Sequence, residues 1–176
     1  TIPVEILLAA EYKVVDLNNL FISSSKYSHY VDLAEKDGFP KSSCAWIKGI
    51  YGVCIENGIS EIIGVAEGDC SNSRALIEVF KAKGINVHSF SYPHSHRLED
   101  VKTALDKFMT EFNVTLRQVE EIRQRLSIIR ELAKKIDLLT YADNKATGFE
   151  NHLYQVMLSD FNGSFGECEE LFREKV

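Results

Sequence analysis

The sequence predicts an α/β fold, a Rossmann-like three-layer parallel sheet followed by a helical C-terminal segment. Two short apolar runs bounded by turn residues, Glu61–Ala66 and Asn86–Tyr92, are separated by one helix-length stretch. That spacing suits a right-handed crossover between buried parallel strands. A β-branched run, Tyr12–Leu17, supplies a further strand candidate ahead of them. From Leu116 onward apolar residues recur every three or four positions, at Leu116, Val119, Ile122, Leu126, Ile129, Leu132, Ala133, Ile136 and Leu139. Such a stripe describes one long amphipathic helix.

Each element follows from local signals. Thr1 reads as an N-cap with Pro3 near the first helical position, opening a short helix through Ala10. After the Tyr12–Leu17 strand and a polar loop, Tyr27–Lys36 reads as helical and is ended by Gly38 and Pro40. Ser42 and Ser43 are the expected caps of a helix from Cys44 to Glu56, closed by Asn57-Gly58. The Glu61–Ala66 strand is expected to be buried on both faces, and the loop Glu67–Asn72 leads from it into a helix over Ser73–Lys83. Pro93 ends the last strand before His94-Ser95-His96. Two shorter helices are expected after the long one, near Glu150–Leu158 and Cys168–Glu174. Residues 1–110 are thus expected to form the Rossmann-like domain, and 111–176 a helical segment bridging to a second domain beyond this chain. A start at Thr1-Ile2-Pro3, without Met and already at a helix start, suggests a fragment or a processed product.

Composition bounds the function. The 176 residues are 45% apolar and 26% charged, with ten Gly and three Pro, an ordinary globular balance. A net charge of −6 argues against nucleic acid or an anionic membrane as the main partner. No apolar run approaches the roughly 20 residues needed to span a bilayer, and no secretory leader is read, so a cytoplasmic location is expected. Cys44, Cys54, Cys70 and Cys168 are too irregularly spaced for a disulfide scaffold. Neither G-x-G-x-x-G nor a phosphate loop nor G-x-S-x-G occurs.

In an open parallel sheet, ligands bind outside the carboxyl ends of the strands. Cys70 follows the Glu61–Ala66 strand, Cys44 opens a helix after the first strand, and His94 and His96 follow the last strand. Helix-terminal N–H groups favour a thiolate at Cys44, and Lys48 lies four residues on, on the same face. Asp69 works against a thiolate at Cys70. Both cysteines are read either as small core residues or as ligands and nucleophiles. Cys54, between Val53 and Ile55, reads as core packing, and Cys168, among carboxylates, as incidental. His94 and His96 read as a solvated loop, the alternative being a zinc or thiol site shared with Cys44 and Cys70.

The stretches Pro3–Ala10, Ser43-Cys44-Ala45-Trp46-Ile47-Lys48-Gly49-Ile50-Tyr51-Gly52 and Gly64-Val65-Ala66-Glu67-Gly68-Asp69-Cys70-Ser71-Asn72 carry a resemblance in their order and spacing, with 26 positions from Cys44 to Cys70. The chain resembles the D-component family of the 2-hydroxyacyl-CoA dehydratases, which includes the double-cubane cluster proteins. The likeness covers roughly the first hundred residues, and Lys145–Glu150 looks like the family's segment before its second domain. The resemblance implies an iron–sulfur cluster, 4Fe–4S or double cubane, held by three cysteines, the first two at Cys44 and Cys70. The third belongs to a second domain expected after Val176, so this chain alone is expected to bind a cluster weakly or not at all. It implies radical dehydration of a 2-hydroxyacyl-CoA through a ketyl species. The low-potential electron comes from an ATP-hydrolysing activator protein, and a sister subunit or a second copy is the assembly partner. The alternatives are a double-cubane reductase of small molecules and a non-catalytic assembly domain.

Overall fold

Strand pairing needs an edge to pair with, and that requirement decides which apolar runs become strands. The computed structural model describes residues 2–176. Its elements in order are α1 (Val4–Ala9), α2 (Leu17–Ser23), α3 (Tyr27–Lys36), α4 (Ala45–Glu56), β1 (Glu61–Glu67), α5 (Ser71–Ala82) and β2 (Asn86–Ser91), then α6 (Leu98–Glu111), α7 (Leu116–Tyr141), α8 (Gly148–Met157) and α9 (Phe165–Lys175), with a 3-10 turn at Phe161–Gly163. The expected cap at Thr1 lies outside the described residues. The molecule is mixed α/β and mostly helical, and the sheet among the described residues is a parallel pair, β1 with β2. A three-layer Rossmann-like sheet is not formed.

The Tyr12–Leu17 expectation fails for a definite reason. The segment finds no ladder partner. The Asp16 amide instead donates to Oδ2 of Asp160 at 2.8 Å, and Tyr12 sets its ring edge-on to Phe112 at 5.5 Å. Leu17 already belongs to α2. Strand propensity without a neighbouring strand is too weak to hold an extended chain as a ladder. With no third strand, β1 is only partly covered: Ile62 is buried and residues 63–66 are half-buried, not enclosed on both faces as expected.

The chain divides into two compact units, one comprising Ile2 and Leu17–Phe108, the other Pro3–Asp16 and Met109–Val176. In the first unit, Glu61 pairs with Asn86 and Val65 with Phe90, and α5 packs on the strands. Gly64 makes that packing possible, since a Cβ there would lie 2.6 Å from the Ile77 side chain. The core joins Ala34, Ile47, Tyr51, Cys54, Ile62, Leu76 and Phe80. Burying a side chain such as Phe80 contributes up to about 3 kcal/mol. Helices α3 and α4 meet at Gly52, whose missing side chain admits the Tyr30 backbone.

In the second unit α7 buries Leu126, Ile129, Leu132, Ala133 and Ile136, the central part of the expected stripe. Leu116, at its first turn, is 68% exposed. Helices α1, α8 and α9 pack on α7, and Arg130 of α7 pairs with Glu5 of α1 at 2.6 Å. Thr115 with Gln118 and Thr147 with Glu150 form capping boxes that start α7 and α8. Among the described residues no helix is long and apolar enough to cross a membrane.

Candidate functional site

The four cysteines are free and fall into two environments. Cys54 and Cys168 are buried, and burial pushes each thiol up to about 11, with the Asp160 carboxylate adding to the effect at Cys168. Cys54 donates its S–H to the Ile59 carbonyl at 3.5 Å. A buried neutral thiol is inert towards metals and electrophiles. Cys44 and Cys70 are exposed, and each is the N-cap residue of a helix, α4 and α5 respectively.

The approach to Cys44 is built differently from the sequence expectation. Ser43 does not cap α4; its hydroxyl donates to the Pro40 carbonyl at 2.6 Å and tightens the preceding turn. Cys44 takes the N-cap position, and its carbonyl accepts the Lys48 amide at 3.1 Å. The Lys48 side chain is 3% exposed and turns away to α3. Its ammonium donates to Oε1 of Glu35 at 2.7 Å and to the Lys41 carbonyl at 3.1 Å. The charge expected to favour a Cys44 thiolate is therefore neutralised by Glu35, whose carboxyl the same bond holds below its usual range. Next to this, Trp46 donates its indole N–H to Oδ1 of Asn18 at 2.6 Å and packs edge-on to Phe21.

Around Cys70 the backbone does most of the placing. Gly68 turns the chain at φ +92°, and a Cβ there would stand 2.9 Å from Cβ of Tyr92. The Tyr92 amide donates to the Glu67 carbonyl at 3.1 Å, so the loops leaving β1 and β2 start side by side. The helix begins at Ser71, two residues before the expected start, which makes Cys70 its cap. The Cys70 sulfur lies 3.5 Å from Oγ of Ser73. That hydroxyl, followed by the amides of Ser73 and Asn72, holds the thiol below its ordinary range, against burial and the Asp69 carboxylate. Sequence reasoning gave Asp69 its opposing role and missed Ser73. The signal was present in Cys-Ser-Asn-Ser, where a polar side chain three residues after a cap reaches back to it.

His94 and His96 are exposed, in the turn before α6. Among the described residues no group of three or more His, Cys, Asp or Glu side chains is disposed to hold a metal ion, so the zinc arrangement with Cys44 and Cys70 is not formed.

Fold and thiols together describe an α/β protein that presents two soft sulfur donors at helix starts. A family model for the 2-hydroxyglutaryl-CoA dehydratase D-component matches residues 1–174, and the chain belongs to that family. The match extends well past the first hundred residues that carry the resemblance in the sequence. No curated protein and no solved structure matches the chain.

Proposed function

We propose that the chain is a 2-hydroxyacyl-CoA dehydratase-like component in which Cys44 and Cys70 ligate an iron–sulfur cluster. The observation that carries this reading is the sorting of the thiols: the two exposed ones are those at helix N-caps, and the other two are buried with raised pKa. Thiolate is the donor such clusters take, so the residue types fit. A cluster needs more ligands than two, and in this reading the third is the cysteine of the second domain that the family resemblance implies.

When bound, the cluster supplies one-electron chemistry and an iron that polarises substrate oxygens. In this reading the substrate is a 2-hydroxyacyl-CoA, and the electron arrives from an ATP-hydrolysing activator. A sister subunit or a second copy completes the assembly. The chain's own residues hold the thiols. Lys48, through Glu35 and the Lys41 carbonyl, fixes the turn entering Cys44, and Gly68 and Ser73 orient Cys70. Four free thiols suit a reducing compartment such as the cytoplasm.

Anaerobic reconstitution with iron and sulfide tests the reading by visible absorption. In protein that also carries the remaining ligands, wild type is expected to develop a sulfur-to-iron band, and Cys44→Ala and Cys70→Ala to lose it. Such protein taking up no iron, or variants keeping the full band, overturns the reading.

A further inference from the structure

We propose that the outward face of α8 is a dimerisation surface, and that its occupant is the same face of a second copy of this chain. Helix α8 is turned inside out. Its inner side is polar: Asn151 donates to Oδ1 of Asp137 at 2.7 Å and Gln155 to the Ala133 carbonyl at 3.2 Å, both on α7. Towards α9, Glu150 accepts from Lys175 at 2.6 Å, and Tyr154 sets its ring edge-on to Phe172 at 4.9 Å. These four contacts fix the rotation of the helix. Phe149, His152, Leu153 and Val156, spaced i, i+3, i+4 and i+7 on one face, therefore look away from α7 and α9. An amphipathic helix normally turns such a stripe to the core. Here Phe149 is 71% and Leu153 39% exposed, and no residue of α8 is buried.

The chemistry of the face selects a second copy. A two-fold contact sets residues near the axis against their own copies, so a charged group there would repel itself. The face holds no Lys, Arg, Asp or Glu, and a chain of net charge −6 approaches its own copy most easily where neither is charged. With the axis over Leu153, two antiparallel α8 helices set Leu153 against itself and Phe149 of one copy against Val156 and Met157 of the other. A lipid-binding helix carries Lys and Arg beside its apolar face, and α8 has neither. The area also suits a dimer. Asn151 lies level with Asp137 and Gln155 with Ala133, which brings Phe149 level with the end of α7, where Leu138 is 46% and Tyr141 73% exposed. Taking about 200 Å² for a whole aromatic side chain, Phe149, Leu153, Leu138 and Tyr141 together expose roughly 400 Å² per copy. At the apolar share of about 65% found in homodimers, that corresponds to about 1,200 Å² buried in total, the lower end for a specific interface.

Sedimentation equilibrium of the full chain, kept in reductant, tests the surface. Wild type is expected to approach twice the mass of one chain, with a midpoint in the micromolar range. Phe149→Glu and Leu153→Glu are expected to stay at the mass of one chain with wild-type circular dichroism, since both glutamates enter a solvent-facing stripe. Leu153→Lys is expected to stay single as well, and mixing it with Leu153→Glu to restore the doubled mass, because residue 153 faces its own copy. Wild type at single-chain mass throughout the micromolar range overturns the proposal. Variants that dimerise like wild type place the contact elsewhere, and a mixture that stays single overturns the two-fold pairing. Variants that unfold overturn the outward orientation of the face. Capture of single-chain wild type by phosphatidylcholine vesicles, lost in Phe149→Glu, gives the face to lipid and overturns the second copy. No arm uses iron, so failure here leaves the cluster reading standing, and failure of that reading leaves the dimer standing.

Discussion

Replacing Gly52 by alanine separates two effects of opposite sign. In an isolated helix the change stabilises by about 1 kcal/mol, because glycine has the larger backbone entropy to lose. Here the added Cβ would stand 2.6 Å from Cα of Tyr30, with the Tyr30 carbonyl oxygen also in its way. Ordinary carbon–carbon contact is about 3.5–4.0 Å, so α3 and α4 have to part by about 1 Å. A flexible side chain can swing aside, whereas the backbone of α3 cannot. The overpacking cost therefore lies near the upper end of the usual range, about 3 kcal/mol. The expected net effect is destabilisation by about 2 kcal/mol, or a fall in Tm of about 10 °C for a unit of this size. Trp46, the single tryptophan, sits on α4 and reports this unit by fluorescence during urea or thermal unfolding. Gly166→Ala is the control: nothing lies within 4 Å of its Cβ position, and circular dichroism is expected to show stability unchanged or slightly raised. A Gly52→Ala protein as stable as wild type would refute the close approach of α3 and α4.

Other predictions concern thiols and charge. In the native protein, iodoacetamide is expected to label Cys44 and Cys70 and to reach Cys54 and Cys168 only after denaturation. Equal rates at all four would refute the sorting on which the functional proposal rests. Glu150 accepts from Lys175 at 2.6 Å and from the Thr147 amide and hydroxyl, and these bonds lower its pKa from 4.5 to about 2. A depressed carboxyl contributes stability that is full above 4.5 and is lost as the pH falls through about 2. Glu150→Gln is expected to flatten the acid limb of the stability curve over that window, and a limb identical to wild type would refute the assignment. Thr147→Ala removes the cap of α8 and is expected to cost about 1 kcal/mol in urea unfolding.

Much of this protein is local in origin. The runs at Glu61–Glu67 and Asn86–Ser91 become strands, and the stripe from Leu116 becomes α7, because period and turn residues act over neighbouring positions. That Cys44 and Cys70 lie near helix starts was readable for the same reason, although Cys44 and not Ser43 takes the cap of α4 and α5 begins two residues before the expected Ser73. Pairing across distance was not readable. Tyr12–Leu17 has strand-like residues, but whether an edge awaits them depends on the rest of the chain, and Asp160 takes the Asp16 amide instead. Lys48 lies on the face of Cys44 by helical geometry, yet its charge goes to Glu35, thirteen residues away, since a buried ammonium must be paired. Which thiols stay neutral is likewise a tertiary matter: the core closes over Cys54 and Cys168 and leaves Cys44 and Cys70 in solvent. Local signals sufficed for the two paired strands, the long helix and the cysteines near helix starts, because propensity and capping are short-range; they missed α2 and α6, where the reading had a polar loop and no named element. The number of strands, the partner of Lys48 and the burial of Cys54 and Cys168 came from folding, because desolvation and pairing depend on residues that it brings together.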